Sequence, residues 1–261
     1  MLSEYRISDD GKIIVFDKVA NAIELLKMHE PPEGYYVAFS GGKDSVVMLD
    51  LVKRSGVKYD AHYNVTTVDP PELVQFIKKE HPEVERHLPE KTMWQLIIEM
   101  QFPPLRRQRW CCRYLKERGG AGRVVVTGVR AQESQKRAGR RMVEACYLDS
   151  SRIFMHPILH WLDEEVWQYI KNNSMPYCTL YDEGWKRLGC VCCPNAENTM
   201  KLQAKRWPKI ANAYRRACVK AHDAAIAQGK VRTFKDGNEM FEWWISGKCN
   251  KGDPDQGVLF E

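Results

Sequence analysis

An apolar segment near residue 40 of this 261-residue chain runs directly into a glycine-rich turn and then into an amphipathic helical pattern. The segment is Tyr35–Phe39, and the six residues of the turn are Ser40, Gly41, Gly42, Lys43, Asp44 and Ser45. Adjacent glycines let a backbone approach an anion, and the free N–H groups at the start of the following helix point toward it. The serine hydroxyls add hydrogen-bond donors, and the lysine adds a positive charge. The sequence therefore predicts a buried strand that ends at a phosphate-binding turn.

The turn resembles the SGGKDS loop of the PP-loop ATP pyrophosphatases, enzymes that cleave ATP between its α and β phosphates. It differs from a Walker loop, in which four residues separate the first glycine from Gly-Lys-Ser/Thr. The resemblance implies that ATP is the ligand and that Mg²⁺ neutralises its phosphates with help from Asp44. It also implies that Lys43 stabilises charge on the phosphates, which makes Lys43 and Asp44 candidate catalytic residues.

Strand and helix patterns alternate along the chain, which predicts a parallel sheet with helices on both faces. Predicted strands cover residues 35–39, 59–65 and 123–128, and predicted helices cover residues 19–29, 44–54, 163–170 and a segment that begins at Pro71. A further short strand and helix fit residues 84–100, and Asp163 is the expected N-cap of its helix. The PP-loop resemblance makes this a Rossmann-like, HUP-type α/β fold. We divide the chain into an α/β domain, residues 1–195, and a helical C-terminal extension, residues 196–261.

A second charged segment follows the predicted strand 123–128, at the sheet edge where parallel α/β folds bind ligands. Arg130 and Arg137 can each present a planar guanidinium to phosphate or sulfate oxygens. Glu133 can orient one of them, and Ser134 can donate a hydroxyl; a merely solvated loop is the alternative. The segment resembles the G-x-R-x-x-E-S-x-x-R motif of the phosphoadenosine phosphosulfate (PAPS) reductase family, and the likeness extends over about residues 30–200. It implies that these side chains and Gly128 bind the nucleotide, with Arg130 as a third candidate catalytic residue.

Five of the nine cysteines form two groups, a tandem pair and a C-x-C-C turn. The pair is Cys111 and Cys112, and the turn contains Cys190, Cys192 and Cys193. An odd number of cysteines in a chain without an apolar leader pattern favours reduced thiols and metal ligation over disulfides. Adjacent cysteines fit the single tetrahedral ion of a zinc site poorly, whereas the separate irons of a cubane can each take one thiolate. A zinc ion and unligated buried thiols are the alternatives.

This arrangement resembles the 4Fe-4S ligand set of the assimilatory sulfonucleotide reductases, which combine a Cys-Cys pair with a distant C-x-x-C. The resemblance implies a 4Fe-4S cluster held by Cys111, Cys112, Cys190 and Cys193. The spacing favours Cys190 with Cys193, and the sequence leaves open whether Cys192 takes part. The cysteines expected to be core thiols, because they have no partner at ligand spacing, are Cys146, Cys178 and Cys218.

Two departures from the sulfonucleotide reductases bear on function. Those enzymes typically modify the glycine loop, because their nucleotide has no γ-phosphate, whereas the loop of this chain is intact. They also carry a catalytic cysteine in a Glu-Cys-Gly-x-His segment, whereas Cys249 lies between Lys248 and Asn250 and is expected to be an ordinary tail thiol. The branch of the family that these features resemble includes DNA phosphorothioation enzymes and cluster-dependent tRNA thiolation enzymes.

The resemblance therefore implies an ATP-dependent sulfur transferase. In such a reaction an acceptor oxygen attacks the α-phosphorus of ATP, pyrophosphate leaves, and a sulfur nucleophile held at the cluster expels AMP. One alternative is a sulfonucleotide reductase, which takes adenylyl or phosphoadenylyl sulfate (APS or PAPS) and releases sulfite. The other alternative is a nucleotide-binding subunit without activity, since the sequence identifies no general base.

Composition and charge limit the remaining choices. An apolar content of 44% is enough for a sizeable core, and a net charge of +6 is compatible with a nucleotide or a nucleic acid. The predicted helix Lys201–Lys220 places cations beside Trp207 and Tyr214, so it can either bind a phosphate backbone or form a solvated face. No apolar segment approaches the ~18 residues of a membrane span, so we expect a cytoplasmic protein and no membrane partner. The expected partners are an adenine nucleotide, a candidate nucleic-acid substrate, a sulfur- or electron-donor protein, and further subunits of a homo-oligomer or multi-protein complex.

Overall fold

A computed structural model describes residues 2–7, 10, 12–147, 149–231 and 233–247. The chain divides into two compact units. Unit 1 takes residues up to 63, residues 71–87 and residues 119–188, and unit 2 takes residues 64–70, 88–118 and those from 189 onward. The sequence-based division at residue 195 stays a prediction, and Cys249 lies outside the described residues. Within the described part of the chain, none of the helices has the length and apolarity needed to cross a membrane.

Strands and helices are numbered in the order in which they occur along the chain. The strands are β1 Ser3–Ile7, β2 Ile13–Asp17, β3 Tyr35–Ala38, β4 Tyr59–Asn64, β5 Glu85–His87, β6 Val124–Val126, β7 Val143–Ala145 and β8 Ile153–Met155. The α-helices are α1 Lys18–Met28, α2 Lys43–Ser55, α3 Pro71–Glu80, α4 Met93–Met100, α5 Gln135–Ala138, α6 Asp163–Asn172, α7 Met200–Arg206, α8 Pro208–Ala227 and α9 Gly237–Ile245. Every helix and strand predicted up to residue 170 is present, with ends shifted by one to a few residues.

The main sheet has six strands in the order β5-β4-β3-β6-β8-β7. Strand β3 pairs in parallel with β4 and with β6, and β6 pairs in parallel with β8. The central strand reads as a continuous apolar run because it is covered on both faces; Tyr35 and Val37 are fully buried. The predicted parallel α/β fold is thus confirmed. The sequence did not predict strands β7 and β8, of which β7 is an antiparallel edge strand, or the antiparallel β1–β2 hairpin.

Two helix predictions need correction. Asp163 is the first helical residue of α6 and not its N-cap; Leu162 precedes it, and the Glu165 carboxylate accepts the Leu162 N–H at 2.7 Å. The helix predicted over 201–220 is two helices, α7 and α8, because Pro208 cannot donate the N–H that a continuous helix would require and instead begins α8.

Unit 2 is built around α8, which packs against α4 and α9. Tyr214 and Trp244 are fully buried on this axis, with ring centroids 4.8 Å apart, and Trp94 meets the Tyr214 ring edge-on at 4.9 Å. Trp207 is also buried. These rings are therefore part of a core and are not available for stacking on bases, which favours the solvated-face interpretation of the cations on α7 and α8. The helical C-terminal part expected from the sequence is confirmed.

Candidate functional site

The glycine turn of unit 1 is held in shape by its own side chains. Ser45 Oγ donates to the Gly42 carbonyl at 2.8 Å and accepts the Ser40 hydroxyl at 3.1 Å. Gly41 has a φ of +73°, and a Cβ at that position would lie 2.7 Å from side-chain carbons of Ile77. Glycine is thus required at position 41 both by the left-handed backbone and by the lack of space. Contacts within the protein therefore fix the shape of the turn.

The first turn of α2 presents backbone donors at the end of β3. The Lys43 N–H donates to the Tyr181 hydroxyl at 2.9 Å. The next two N–H groups, those of Asp44 and Ser45, donate to no acceptor in the part of the chain that the structure describes. Gly128 explains how the β6 loop comes so near, because a Cβ there would lie 2.8 Å from the backbone carbonyl of Asp44. Free donors at a helix N-terminus are the feature that binds phosphate.

Two buried cations and two partly exposed carboxylates form a group beside this helix end. Lys43 Nζ is 3.0 Å from Asp163 and 3.6 Å from Asp44. The Arg130 guanidinium bonds Asp44 through Nε at 2.5 Å and Asp163 through Nη2 at 2.7 Å. Lys43 and Arg130 are only 4% and 3% exposed. Burial raises the pKa of Asp163, but the hydrogen bond and charge of Lys43, and then of Arg130, outweigh it and hold that pKa below its usual range.

These groups line a cleft of about 440 Å³ in unit 1. The lining includes nine of the predicted nucleotide-binding residues: Ser40, Gly42, Lys43, Asp44, Ser45, Gly128, Arg130, Glu133 and Arg137. The other two do not line it. Gly41 shapes the turn, and Ser134 caps α5 by accepting the Arg137 N–H at 3.3 Å.

Sequence reasoning missed several lining residues. Gln132 accepts the Asp163 N–H at 2.7 Å and an Arg130 N–H at 3.0 Å, so it joins the two loops of the cleft. Tyr181, Lys186 and Arg187 also line the cleft. The charges of the last two were visible in the sequence, but nothing local connected a loop some 140 residues beyond the glycine turn with the phosphate site.

The four predicted cluster ligands all belong to unit 2. Cys111 immediately precedes a π-helical turn, Cys112–Lys116, and Cys190–Cys193 follow on from Gly189. The Val191 backbone is fixed on both sides, with its N–H donating to Val68 at 2.8 Å and its carbonyl accepting the Tyr214 hydroxyl at 3.2 Å. This explains how the second cysteine group is held against the core of unit 2.

The pKa shifts of these cysteines indicate that the four sulfurs lie close enough to affect one another. A hydrogen bond to Cys112, then burial, then the charges of Cys112, Cys190 and Cys193 raise the pKa of Cys111. The same hydrogen bond lowers the pKa of Cys112 to about 6. Burial raises the pKa of Cys190 to about 11, against the opposing charge of Lys116. The structure therefore brings together the two cysteine groups that the sequence separates.

Cys192 points to a different environment. Its N–H donates to Gln203 at 2.7 Å, and its thiol faces the Met200 carbonyl at 3.7 Å. It is fully buried, and its φ is +57°. The left-handed backbone at Cys192 turns the chain between the flanking cysteines. Of the cysteines expected in the core, Cys178 and Cys218 are buried, whereas Cys146 is half-buried.

The distances between the cysteine sulfurs bear on whether these residues suit a zinc ion or an iron–sulfur cluster. A tetrahedral zinc site with Zn–S bonds of ~2.3 Å brings its sulfurs to ~3.8 Å from one another. Among the described residues, no three of these sulfurs lie within 4.8 Å of one another. A cluster whose irons occupy separate corners takes thiolates that are further apart. The donor set, four thiols in one partly buried neighbourhood, therefore fits an iron–sulfur cluster better than a single ion.

Comparison with known proteins agrees with the geometry. The family model described as phosphoadenosine phosphosulfate reductase domain matches residues 34–196. The adenosine 5'-phosphosulfate reductase of Oceanobacillus iheyensis is 26% identical over 65% of this chain and 75% of its own length. An uncharacterised protein of Methanocaldococcus jannaschii is 31% identical over 69% of the chain.

The share of each relative's own length that the match covers differs from one relative to another. The chain spans 41% and 46% of the length of two relatives from Methanocaldococcus jannaschii, which is less than half. Among solved structures, the fold is similar to that of phosphoadenylyl-sulfate reductase from Candida auris, with a TM-score of 0.50 and 19% identity. That alignment covers 67% of this chain and 88% of the other.

Proposed function

We propose that this chain, which belongs to the phosphoadenosine phosphosulfate reductase family, is an ATP-dependent sulfur transferase. The observation that carries the proposal is the intact glycine turn, with two free N–H groups and two buried cations around one cleft. The lining holds five cations, Lys43, Arg130, Arg137, Lys186 and Arg187, against three carboxylates, Asp44, Glu133 and Asp163. This excess of positive charge suits a polyphosphate better than a monoanionic group.

Binding would exchange partners within the cleft. In the structure, Asp44 and Asp163 pair with Lys43 and Arg130. Phosphate oxygens would take over hydrogen bonds from these two cations, and the free N–H groups of α2 would receive a further oxygen. The released carboxylates are hard oxygen donors of the kind that Mg²⁺ prefers. Asp44 and Asp163 are therefore the residues that would hold a Mg²⁺ ion bound with the nucleotide.

The proposed reaction uses these groups for charge stabilisation. An acceptor oxygen bonds to the α-phosphorus while the bond to the leaving pyrophosphate breaks, and Lys43 and Arg130 neutralise the charge that develops there. A sulfur nucleophile then bonds to the activated acceptor atom and displaces AMP. A 4Fe-4S cluster, when bound by Cys111, Cys112, Cys190 and Cys193, would supply sulfur or electron chemistry.

A sulfonucleotide reductase is the second candidate. It is favoured by the names of relatives such as the Oceanobacillus iheyensis enzyme, of which the alignment covers 75%. The cleft would then bind adenylyl sulfate, and a thiolate would attack its sulfur and displace AMP. A second thiol would then release sulfite from the S-sulfonated thiol as the two thiols form a disulfide. Both reactions require an adenine nucleotide with phosphate at the turn, so the nucleotide that binds more tightly separates them.

Calorimetric titration of anaerobically purified protein with Mg·ATP and with adenylyl sulfate separates these candidates. We expect ATP to bind at least tenfold more tightly, and pyrophosphate to appear when an acceptor is supplied. Tighter binding of adenylyl sulfate, followed by thiol-dependent release of sulfite, would select the reductase. Nucleotide binding with no pyrophosphate or sulfite in any mixture would favour a binding subunit, and no binding of either nucleotide would contradict all three.

A further inference from the structure

Two histidines and a glutamate converge at the β5 edge of the unit 1 sheet. His62 lies on β4, and Glu85 and His87 lie on the three-residue strand β5. One ligand atom from each lies within 4.8 Å of the other two. His62 Nδ1 is 2.7 Å from His87 Nε2 and 3.5 Å from the Glu85 carboxylate. Imidazole nitrogens and a carboxylate oxygen are the donors of many sites for zinc and related divalent ions.

The contact between Asp60 and the His62 ring determines which ring nitrogen can act as a metal ligand. Asp60 lies against His62 Nε2, and a carboxylate can only accept, so Nε2 carries the proton. Asp60 is itself held by Arg123, with Nη2 2.5 Å from Oδ1 and Nη1 3.3 Å from Oδ2. The Tyr36 ring stacks on the imidazole at 4.1 Å. The lone pair of the Nδ1 atom therefore points toward His87 and Glu85.

We propose that His62, Glu85 and His87 bind a divalent metal ion of the zinc class. Metal-bound histidines commonly donate their second N–H to a carboxylate, which orients the ring, and Asp60 is already placed to accept it. Two nitrogens bound to zinc at ~2.0–2.1 Å lie ~3.3 Å apart. The observed 2.7 Å therefore has to widen by about 0.6 Å. His87 is only half-buried on an edge strand, so its side chain can make this shift.

The rest of the site is open on one side. His62 is 9% exposed, whereas Glu85 is exposed. Three protein ligands leave a fourth tetrahedral position for water on the exposed side. The ion would join β5 to β4 and so stabilise the end of the sheet. None of the three ligands lines the nucleotide cleft, and their nitrogen and oxygen donors differ from the thiols of unit 2.

Titration with Co²⁺ and Zn²⁺ tests the proposal, since Co²⁺ bound by nitrogen and oxygen gives ligand-field bands without the charge-transfer band of a thiolate site. We expect one such Co²⁺ per chain, displaced by Zn²⁺, and a rise in melting temperature with Zn²⁺. Glu85→Gln and His87→Gln should each weaken Co²⁺ binding by about tenfold or more. Both side chains are accessible, so these variants should fold like the wild type.

His29→Gln is the matched control, because His29 is an exposed histidine in the same unit. It should leave the affinity for Co²⁺ unchanged. Co²⁺ that binds only with thiolate bands would overturn the proposed site. So would nitrogen and oxygen bands whose affinity is the same in wild type, Glu85→Gln and His87→Gln, since that result would place the ion elsewhere on the surface.

Discussion

Arg130 contacts several parts of unit 1 through a single guanidinium. Its Nε and Nη2 bond carboxylates of α2 and α6, Asp44 and Asp163, and its Nη1 lies 3.0 Å from Gln132 and 3.4 Å from the Trp161 carbonyl. A rigid, planar guanidinium is needed to donate hydrogen bonds to acceptors in all of these directions at the same time. An ammonium group is a point charge on a flexible stem, so a lysine would keep the charge and lose most of the geometry.

Arg130→Lys is accordingly expected to weaken ATP binding by about tenfold or more, because hydrogen bonds to charged groups are worth ~1.5–3 kcal/mol each. Calorimetric titration with Mg·ATP measures the change. The control is Arg141→Lys, since Arg141 is exposed and does not line the cleft. Equal ATP affinity for wild type and Arg130→Lys would show that Arg130 holds the loops together without binding the nucleotide.

The sequence predicted some of these residues and missed others for a physical reason. Arg130 and the glycine turn were identifiable because each follows a buried strand, and strand ends at one sheet edge meet. Asp163 was interpreted as a helix cap, a local role, whereas its carboxylate is engaged by Lys43 and Arg130 from distant segments. Tyr181 and Lys186 were missed for the same reason, because their place depends on tertiary packing.

At the scale of elements, the β3–α2 connection depends on one glycine. Gly41 and Gly56 both have positive φ, +73° and +72°. A Cβ at Gly41 would meet Ile77 and Leu73 at 2.7–2.8 Å, whereas nothing lies within 4 Å of a Cβ at Gly56. The two positions therefore share the backbone cost of an alanine and differ in whether the methyl group has space.

Gly41→Ala should reduce the free energy of unfolding by about 1–3 kcal/mol more than Gly56→Ala, because only the first forces α3 side chains to move. Urea unfolding of both variants and of wild type gives the difference. Gly41→Ala should also weaken ATP binding, since the turn holds the donors of α2 in place. Equal losses of stability in the two variants would mean that α3 accommodates the methyl group without strain.

The ends of helices and strands were predictable where a particular residue determines them, and not elsewhere. Pro71 begins α3 as expected. Pro208 also begins a helix, but the apolar and charged pattern across it reads as one continuous helix, and the break was missed. The edge strand β7 has only three residues, too few for a period-2 pattern to emerge.

For the whole molecule, buried neutral histidines make stability depend on pH. His81 packs between Phe39 and Phe76, and its Nδ1 lies 3.6 Å from the Glu83 carboxylate, too far for a hydrogen bond. Burial lowers the pKa of His81 below its ordinary value, partly opposed by Glu83. The unfolded chain, with a histidine pKa of about 6.5, then binds more protons than the folded chain. Stability is therefore retained above about pH 6.5 and lost as the pH falls toward the folded-state pKa.

His81→Leu should make the free energy of unfolding less sensitive to pH between about 7.5 and 5.5, because the titrating group is removed from the core. Urea midpoints at several pH values measure this dependence. His29→Gln removes an exposed histidine and should preserve the wild-type slope. A slope in His81→Leu as steep as in wild type would assign the acid sensitivity to other groups.

The overall fold followed from sequence because alternating strands and helices are local patterns, whereas each compact unit combines segments that are far apart in the sequence. Residues 64–70 and 88–118 belong with the C-terminal helices, although they are inserted between strands of the α/β sheet. The same arrangement brings the Cys111–Cys112 pair into the unit that contains Cys190 and Cys193. No secondary-structure pattern shows that these cysteines belong to one unit.

We propose that Cys111, Cys112, Cys190 and Cys193 hold an iron–sulfur cluster in a protein that binds an adenine nucleotide. Iron and acid-labile sulfide analysis of anaerobically purified protein tests it most directly, with Cys193→Ala and Cys192→Ala as a matched pair of neighbouring variants. We predict about four irons and four sulfides per chain in wild type and in Cys192→Ala, and a large loss in Cys193→Ala. Wild-type protein without iron, or full iron content in Cys193→Ala, would contradict the account.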